Sequence, residues 1–239
     1  MTLNEHIFIP LTKDCIDLWV VDLHTQLELL PSNAIDMSSS PLDQQEIAQL
    51  NRFKYDRDRR SFYLRRVALR HILAKYSGIS AHELVINREK QHKPVLPHYS
   101  VEFNTSVTAG YALIGISNLP IGIDIEYHKN LKDEFITLGQ SVFSSREFAE
   151  LQNQQDPCKI NHTFYSLWCL KEAYLKAIGL GLSVDPRLLT FDLATRTLLS
   201  APTQTTSIDW YFHLPLLFTN YSCAIATPIA TPNIRLINY

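Results

Sequence analysis

The chain has 239 residues, of which 46% are hydrophobic and 19% charged, and its formal net charge is −2. This composition excludes a disordered chain and fits one large globular domain or two modest ones, and the near-neutral charge argues against a non-specific nucleic-acid binder. No apolar run approaches the roughly 18 residues of a membrane span, the N-terminus lacks the pattern of a signal peptide, and the cysteines have no metal-ligand spacing. We therefore expect a soluble, cytoplasmic protein with reduced thiols that binds neither nucleic acid nor a membrane.

The first half of the chain is predicted to begin with a strand and to continue into a long helical region. CIDLWVVDLHTQ (15–26) has the β-branched and aromatic residues of a strand. Residues 43–78 have helical periodicity, with a break near 54–58 and a glycine at the end. VEFNTS (101–106) and YALIGIS (111–117) then predict two strands that a short turn joins.

The second half is predicted to place a buried strand ahead of two helices. GIDIE (122–126) has the pattern of the strand. A helix follows with Ser144 or Ser145 as its N-cap and Glu147 in a capping box, and residues 162–182 form the clearest helix of the chain, which two glycines end. Short strands and turns complete the chain. Because strands and helices are mixed without regular βαβ alternation, an α+β fold is favoured.

Two carboxylates lie inside the apolar strand, at Asp124 and Glu126. Side chains two positions apart on a strand point to the same face, so Ile123 and Ile125 face the core while the carboxylates project together. Two such charges repel each other unless a positive group lies between them. A hard cation such as Mg²⁺ meets that need, and the alternative is a polar face that meets solvent or neighbouring Lys and Arg side chains.

A second polar group is predicted on the clearest helix, where Trp168, Glu172 and Lys176 follow each other at intervals of four residues. Such spacing places the three side chains along one stripe of the helix. Glu172 and Lys176 form either a surface ion pair or a third acidic ligand with a cation beside it. Trp168 is expected to pack in the core.

Together, GIDIE (122–126) and WCLKEAYLK (168–176) resemble the two motifs of the 4′-phosphopantetheinyl transferases, in the larger type that activates peptide and polyketide synthases. The segments NRFKYDRDRRSF, HKPVLP, VEFNTSVTAGYALIGIS and VFSSREFAEL are similar to further segments of that family, and the resemblance covers about residues 45–192. It implies two similar α+β lobes related by a pseudo-twofold axis, which we place at 1–120 and 121–239. It also implies a monomer with the active site in the cleft between the lobes.

The family's activity is transfer of the 4′-phosphopantetheine arm of coenzyme A to a serine of an apo acyl or peptidyl carrier protein, with release of adenosine 3′,5′-bisphosphate. The resemblance implies that Asp124, Glu126 and Glu172 hold Mg²⁺, that Glu172 or a metal-bound water acts as the base, and that Lys176 neutralises or protonates the departing phosphate. The residues that it implies for coenzyme A binding are Arg60, Lys93, Ser106 and Thr108.

The sequence departs from the family pattern at two positions. Val107 stands in Ser106-Val107-Thr108 where the family has a histidine that contacts the phosphates of coenzyme A, and His92 replaces a glycine ahead of Lys93. The first change predicts weaker coenzyme A binding or a substitute contact. It also leaves a second hypothesis open, that of a weak or inactive relative which only binds carrier proteins or nucleotides.

Overall fold

The computed structural model describes residues 8–31, 34–87, 93–130, 134–202 and 208–239. Its helices are α1 (Leu23–Leu29), α2 (Gln44–Leu50), α3 (Asp56–Ser77), α4 (Glu134–Val142), α5 (Ser145–Gln152) and α6 (Pro157–Ala177). Its strands are β1 (Cys15–Asp22), β2 (Glu102–Thr108), β3 (Tyr111–Ser117), β4 (Gly122–Tyr127), β5 (Thr190–Asp192), β6 (Thr197–Ser200), β7 (Tyr211–His213), β8 (Tyr221–Thr227) and β9 (Asn233–Asn238). Within these ranges no helix combines the length and apolarity needed to cross a bilayer.

The first sheet has four strands in the order β2-β3-β1-β9. Its β1 pairs antiparallel with β3 and parallel with β9, so a strand from the far end of the sequence completes the sheet. Helix α3 packs on one face and shares an apolar core with it, in which Leu69 and Ile72 meet Ile114 and Ile116. This packing fixes α3 beside the edge strand β2.

The second sheet has three strands in the order β4-β8-β7 and carries α6 on one face. Gly122, at the start of β4, lies very close to the backbone of that helix. A Cβ atom at this position would lie 2.0 Å from the carbonyl oxygen of Ala173 and 2.5 Å from the backbone nitrogen of Ala177. Only glycine therefore allows β4 to lie directly against α6, and this contact brings the two sequence motifs together.

The two sheets meet where their edge strands β2 and β4 lie side by side. No backbone pairing joins these strands in the described sheets; alternate side chains of β2 accept hydrogen bonds from backbone N–H groups of β4 instead. The pairs are Asn104 Oδ1 with Ile123 N (3.0 Å), Ser106 Oγ with Ile125 N (3.3 Å) and Thr108 Oγ1 with Tyr127 N (3.0 Å). Side chains of one sheet thus satisfy the exposed edge of the other.

The α+β class is confirmed, and so are several local predictions. The helical region of 43–78 is broken between α2 and α3, and Gly78 adopts φ 71° at the end of α3. Ser144 is the N-cap of α5 and forms the capping box with Glu147. The first predicted strand is shorter than expected, because Asp22 ends β1 and accepts hydrogen bonds as the N-cap of α1.

Candidate active site

A cavity of about 260 Å³ lies between α3, β2, β4 and α6. Its floor carries four of the five charged side chains of the two motifs, Asp124 and Glu126 from β4 and Glu172 and Lys176 from α6. The strand alternates as expected, because Ile123 and Ile125 of β4 are buried in the core on the opposite face. The two motifs therefore form one polar cluster at the junction of the two sheets.

Asp124 and Lys176 form the central ion pair of this cluster. Lys176 Nζ lies 2.6 Å from Asp124 Oδ1, and the Asp124 carboxylate is buried. Burial by itself lowers the pKa of the Lys176 ammonium, but the charge of Asp124 and its hydrogen bond outweigh that effect and the pKa is raised. Lys176 is consequently a cation at neutral pH that is held against Asp124.

The carboxylates are incompletely satisfied. Asp124 Oδ2 and Glu172 Oε1 are buried and have no hydrogen-bond partner among the described residues. Burial, followed by the charge of Asp124, raises the pKa of Glu126 and of Glu172 above the ordinary value. Leaving buried acceptors unpaired is costly in a folded protein, so these oxygens are suited to a positively charged ligand.

The chemistry of this donor set fits a magnesium ion, because it consists of carboxylate oxygens only. Within the residues that the structure describes, however, no three His, Cys, Asp or Glu side chains converge as a metal-holding group. The ion pair gives a physical reason, since the Lys176 ammonium already neutralises Asp124. The cluster thus offers acceptors for a cation without a preassembled three-ligand site.

Two arginines of α3, Arg65 and Arg66, line another wall of the same cavity. Burial lowers the pKa of the Arg65 guanidinium, and the charge of Asp58 opposes this effect. Both arginines lie over the ring of Phe62. These cations place positive charge on the part of the cavity that α3 lines.

Arg60, which the sequence predicts as a phosphate ligand, is not among the residues that line this cavity. Its Nη1 donates to the carbonyl oxygens of Leu27 (2.8 Å) and Leu30 (2.6 Å) at the end of α1, and its Nε donates to Asp56 (2.8 Å). These contacts are those of a residue that joins α1 to α3.

Lys93 lines a neighbouring cavity of about 240 Å³. Lys176 and Thr105 border both cavities, so the second cavity continues the first past the end of α6. The Lys93 ammonium forms an ion pair with Glu102 at 2.8 Å. His92, the other departure of that segment, lies outside the described residues.

The remaining predicted residues, Ser106 and Thr108, point from β2 toward β4. Ser106 Oγ donates to Asp124 Oδ1 (2.8 Å), and Thr108 Oγ1 donates to Glu126 Oε2 (3.4 Å). Both hydroxyls thus contact the carboxylates. Val107 between them lines the cavity with a side chain that is 43% exposed.

Two models of known protein families match adjoining parts of the chain. The model described as "4′-phosphopantetheinyl transferase, N-terminal" matches residues 31–118, and the model described as "4′-phosphopantetheinyl transferase superfamily" matches residues 120–226. The 4′-phosphopantetheinyl transferase HetI of Nostoc sp. is 31% identical over 190 residues, which cover 75% of this chain and 77% of HetI. The chain belongs to the 4′-phosphopantetheinyl transferase superfamily. The resemblance that the two motifs indicated is confirmed.

Other relatives of this transferase are matched over shorter stretches. The human L-aminoadipate-semialdehyde dehydrogenase-phosphopantetheinyl transferase is 28% identical over 161 residues, and the chain spans about half of its length (52%). The transferase psf-1 of Bacillus pumilus is 30% identical over 138 residues, or 57% of each chain. A solved holo-(acyl-carrier-protein) synthase of Bacillus anthracis in complex with CoA (3′,5′-ADP) gives a TM-score of 0.38 at 17% identity, over 46% of this chain and 94% of its own. That likeness is too low to compare the two folds.

Trp168 has a position in the transferase that differs from the expected one. It packs against the margin of the second core rather than inside it, and it is half-buried at the border between the cavity and a groove beside α4. Its Nε1 donates a long hydrogen bond of 3.4 Å to Glu126 Oε1. The four-residue spacing correctly predicted that Trp168 shares one stripe of the helix with Glu172. Its large aromatic side chain, in contrast, indicated packing in the core.

Glu147 and Lys171 are fully buried and take part in structure away from the cavity. Lys171 Nζ lies 2.7 Å from Glu147 Oε2 and donates to the carbonyl oxygens of Pro186 (2.8 Å) and Leu189 (2.6 Å). Glu147 also accepts from the backbone nitrogens of Ser144 and the start of β5. The carboxylate that forms the capping box is therefore the anchor of a buried polar network.

Proposed function

We propose that this transferase moves the 4′-phosphopantetheine arm of coenzyme A to a serine of an apo acyl or peptidyl carrier protein. The serine Oγ forms a bond to the β-phosphorus, and the bond from that phosphorus to the bridging oxygen breaks. The bridging oxygen leaves with adenosine 3′,5′-bisphosphate, and the serine proton passes to a base. The observation that carries the proposal is the cluster of Asp124, Glu126, Glu172 and Lys176 on one cavity floor.

Asp124, Glu126 and Glu172 are the residues that would hold Mg²⁺. The unpartnered oxygens of Asp124 and Glu172 and the raised pKa values of Glu126 and Glu172 support this assignment, because a cation would relieve both. When bound, such an ion neutralises negative charge on phosphate oxygens. Lys176 would stay paired with Asp124 Oδ1 at 2.6 Å, which leaves Asp124 Oδ2 as the oxygen available to such an ion.

Glu172 and Lys176 are the proposed catalytic pair. Glu172 is placed to accept the serine proton, because its buried Oε1 is unpartnered among the described residues, and burial raises its pKa above the ordinary value. Lys176 is a cation on the next turn of α6, where it can stabilise the charge that develops on the departing oxygen.

The phosphate groups of coenzyme A are assigned to the cations around the two cavities. Arg65 and Arg66 provide planar guanidinium groups in the lining of the first cavity. We propose them for this role in preference to Arg60, whose guanidinium contacts Leu27, Leu30 and Asp56. Lys93 supplies a further ammonium in the adjoining cavity. Thr108 remains a proposed contact through its position next to Glu126.

The arrangement of the sheets supports the proposal of two lobes, 1–120 and 121–239, with the site between them. The first sheet takes β1, β2 and β3 from residues 15–117, and the second takes β4, β7 and β8 from residues 122–227. β9 belongs to the second lobe in sequence but pairs with β1 of the first. We further propose that the protein acts as a monomer in the cytoplasm.

Intact-mass spectrometry tests the proposed activity. Purified protein is incubated with coenzyme A, Mg²⁺ and apo acyl and peptidyl carrier proteins from the same genome. We expect one carrier to gain the mass of a single phosphopantetheine group, and adenosine 3′,5′-bisphosphate to appear in equal amount. If every carrier stays unmodified while an active transferase modifies the same samples, the protein is a binding relative and the proposal is wrong.

A further inference from the structure

The hydroxyl of Ser106 makes more contacts than a strand serine needs. Its Oγ lies 2.8 Å from Asp124 Oδ1, 3.1 Å from Lys176 Nζ and 3.3 Å from the backbone nitrogen of Ile125. The residue itself is buried. One side chain of β2 therefore touches both members of the central ion pair and the strand that carries one of them.

The donor and acceptor capacity of a hydroxyl determines what Ser106 can bind. A serine has one O–H donor and two acceptor lone pairs. Its proton goes to Asp124, which is the only one of the three partners that accepts, and its lone pairs accept from Lys176 and Ile125. A phosphate oxygen needs a donor, so nothing of this hydroxyl is left for coenzyme A while the three contacts are made.

The same contacts restrict both charged partners. The hydrogen bond from Ser106 restricts the orientation of the Asp124 carboxylate, whose Oδ2 stays buried without a partner among the described residues. The Lys176 ammonium has three donors, and two of them are directed at Asp124 Oδ1 and Ser106 Oγ. Since its side chain is only partly buried, the ammonium is oriented by these contacts and can still reach a ligand in the cavity.

We propose that Ser106 is a positioning residue for Asp124 and Lys176 and is not a ligand of coenzyme A. Ser106 lies on the first sheet, Asp124 on the second sheet and Lys176 on the helix packed against that sheet. The orientation of the reacting groups therefore depends on how the two sheets pack together. This inference rests on the proposed function, since it assigns Ser106 to the same reaction. It differs from the expectation of the sequence, which placed the hydroxyl at a phosphate.

Ser106→Ala tests the inference, because a positioning residue should affect turnover and a ligand should affect coenzyme A binding. We expect kcat for carrier modification to fall by about tenfold or more, as for the loss of a hydrogen bond to a charged group. The Kd of coenzyme A, measured by calorimetry without carrier protein, should change by less than about threefold. Ser106→Thr keeps the hydroxyl and should restore most of kcat. A rise in Kd that accounts for the whole loss, with kcat unchanged, would make Ser106 a ligand and overturn the inference.

Asn104→Ala is the matched control for any effect that comes only from loss of a contact between the two sheets. Asn104 also accepts a backbone N–H of β4 from β2, but it touches neither Asp124 nor Lys176 in the described contacts. Its loss should lower the melting temperature about as much as Ser106→Ala, and kcat is compared well below both melting temperatures. If Ser106→Ala does not fold, Ser106→Cys preserves the volume with only a weak donor, and the same outcomes apply.

A double-mutant cycle on stability separates failure of this inference from failure of the proposed function. The free energies of unfolding of Ser106→Ala, Lys176→Met and the double variant are measured with urea, without any substrate. Non-additive losses show that Ser106 and Lys176 act together even if the wild-type protein modifies no carrier. Additive losses would overturn the inference, whatever the activity.

Discussion

Helix α6 carries two buried lysine–carboxylate pairs that differ in how completely they are satisfied. Lys171 is paired with Glu147, and both side chains are fully buried. The ammonium donates to backbone carbonyl oxygens, and the carboxylate accepts from backbone nitrogens. Lys176 is paired with Asp124 at nearly the same distance, 2.6 against 2.7 Å. This second pair faces the cavity, and Asp124 Oδ2 has no partner among the described residues.

The difference separates a structural ion pair from a functional one. A buried pair that is saturated with hydrogen bonds gains nothing from a ligand and is strongly destabilised by loss of one partner. A pair with an unpartnered acceptor next to a cavity can exchange its contacts for those of a substrate or a cation. Both lysines belong to the same KEAYLK segment, so the sequence motif alone does not distinguish the two roles.

Removal of Lys171 should give the largest effect on stability. Lys171→Met leaves the Glu147 carboxylate buried without its cation, and we expect a loss of about 3–5 kcal/mol in the free energy of unfolding. Lys176→Met is the matched control and should cost less, because that side chain reaches the cavity and solvent. Urea unfolding of both variants measures the difference. Equal losses would remove the distinction between the pairs.

Gly122→Ala should separate Asp124 from Lys176 and leave the Lys171–Glu147 pair intact. The added Cβ would lie 2.0 Å from the carbonyl oxygen of Ala173, so β4 must move away from α6. We expect a loss of about 1–3 kcal/mol from overpacking, together with loss of transfer activity. Gly115→Ala is the control, because its Cβ would meet side-chain rather than backbone atoms, with Ile123 Cγ2 at 2.9 Å, and would not touch α6. A fully active Gly122→Ala variant would contradict the account.

Arg66→Ala and Arg60→Ala should affect different properties. Arg66 lines the cavity, so its loss should weaken coenzyme A binding by about tenfold, as expected for one hydrogen-bonded ion contact. Arg60 joins α1 to α3 through Leu27 and Leu30, so its loss should lower the melting temperature and leave coenzyme A affinity unchanged. Calorimetric titration and melting curves measure both. The reverse pattern would restore the sequence-based assignment of Arg60.

The sequence predicted the four charged residues of the cavity floor better than it predicted the arginines that line the cavity. Asp124 and Glu126 share a strand face because side chains alternate, and Glu172 and Lys176 share a helix stripe because four residues make about one turn. Local periodicity therefore placed all four correctly relative to their own element. The arginine-rich run on α3 is different, because Arg60 and Arg66 point to different sides of the helix. Which side meets the cavity depends on how α3 packs on the first sheet.

Contacts that join distant parts of the chain were equally inaccessible to the sequence. No local pattern indicates that β9 pairs with β1, more than 200 residues earlier, or that Ser106 contacts Lys176. The contact of Ser106 exists because β2 and β4 are edge strands that meet through side chains. It follows from the assembly of two sheets and not from the propensity of either strand.

Val107→His should give the smallest effect. Val107 lines the cavity with an exposed side chain, so an imidazole can be placed there without repacking the core. If a phosphate lies within reach, the new donor should tighten coenzyme A binding by about tenfold at an unchanged melting temperature. Unchanged affinity would mean that Arg65 and Arg66 already neutralise the phosphates at that wall.

The rate of carrier modification by Asp124→Asn tests the central claim most directly. The substitution preserves size but removes the charge that pairs with Lys176 and that would hold Mg²⁺. We expect kcat to fall by about 100-fold or more, as when a single electrostatic group is removed from an active site, while circular dichroism and the melting curve still show a folded protein. A variant that modifies the carrier at the wild-type rate in saturating Mg²⁺ would contradict the assignment of the Asp124–Lys176 pair as the functional one.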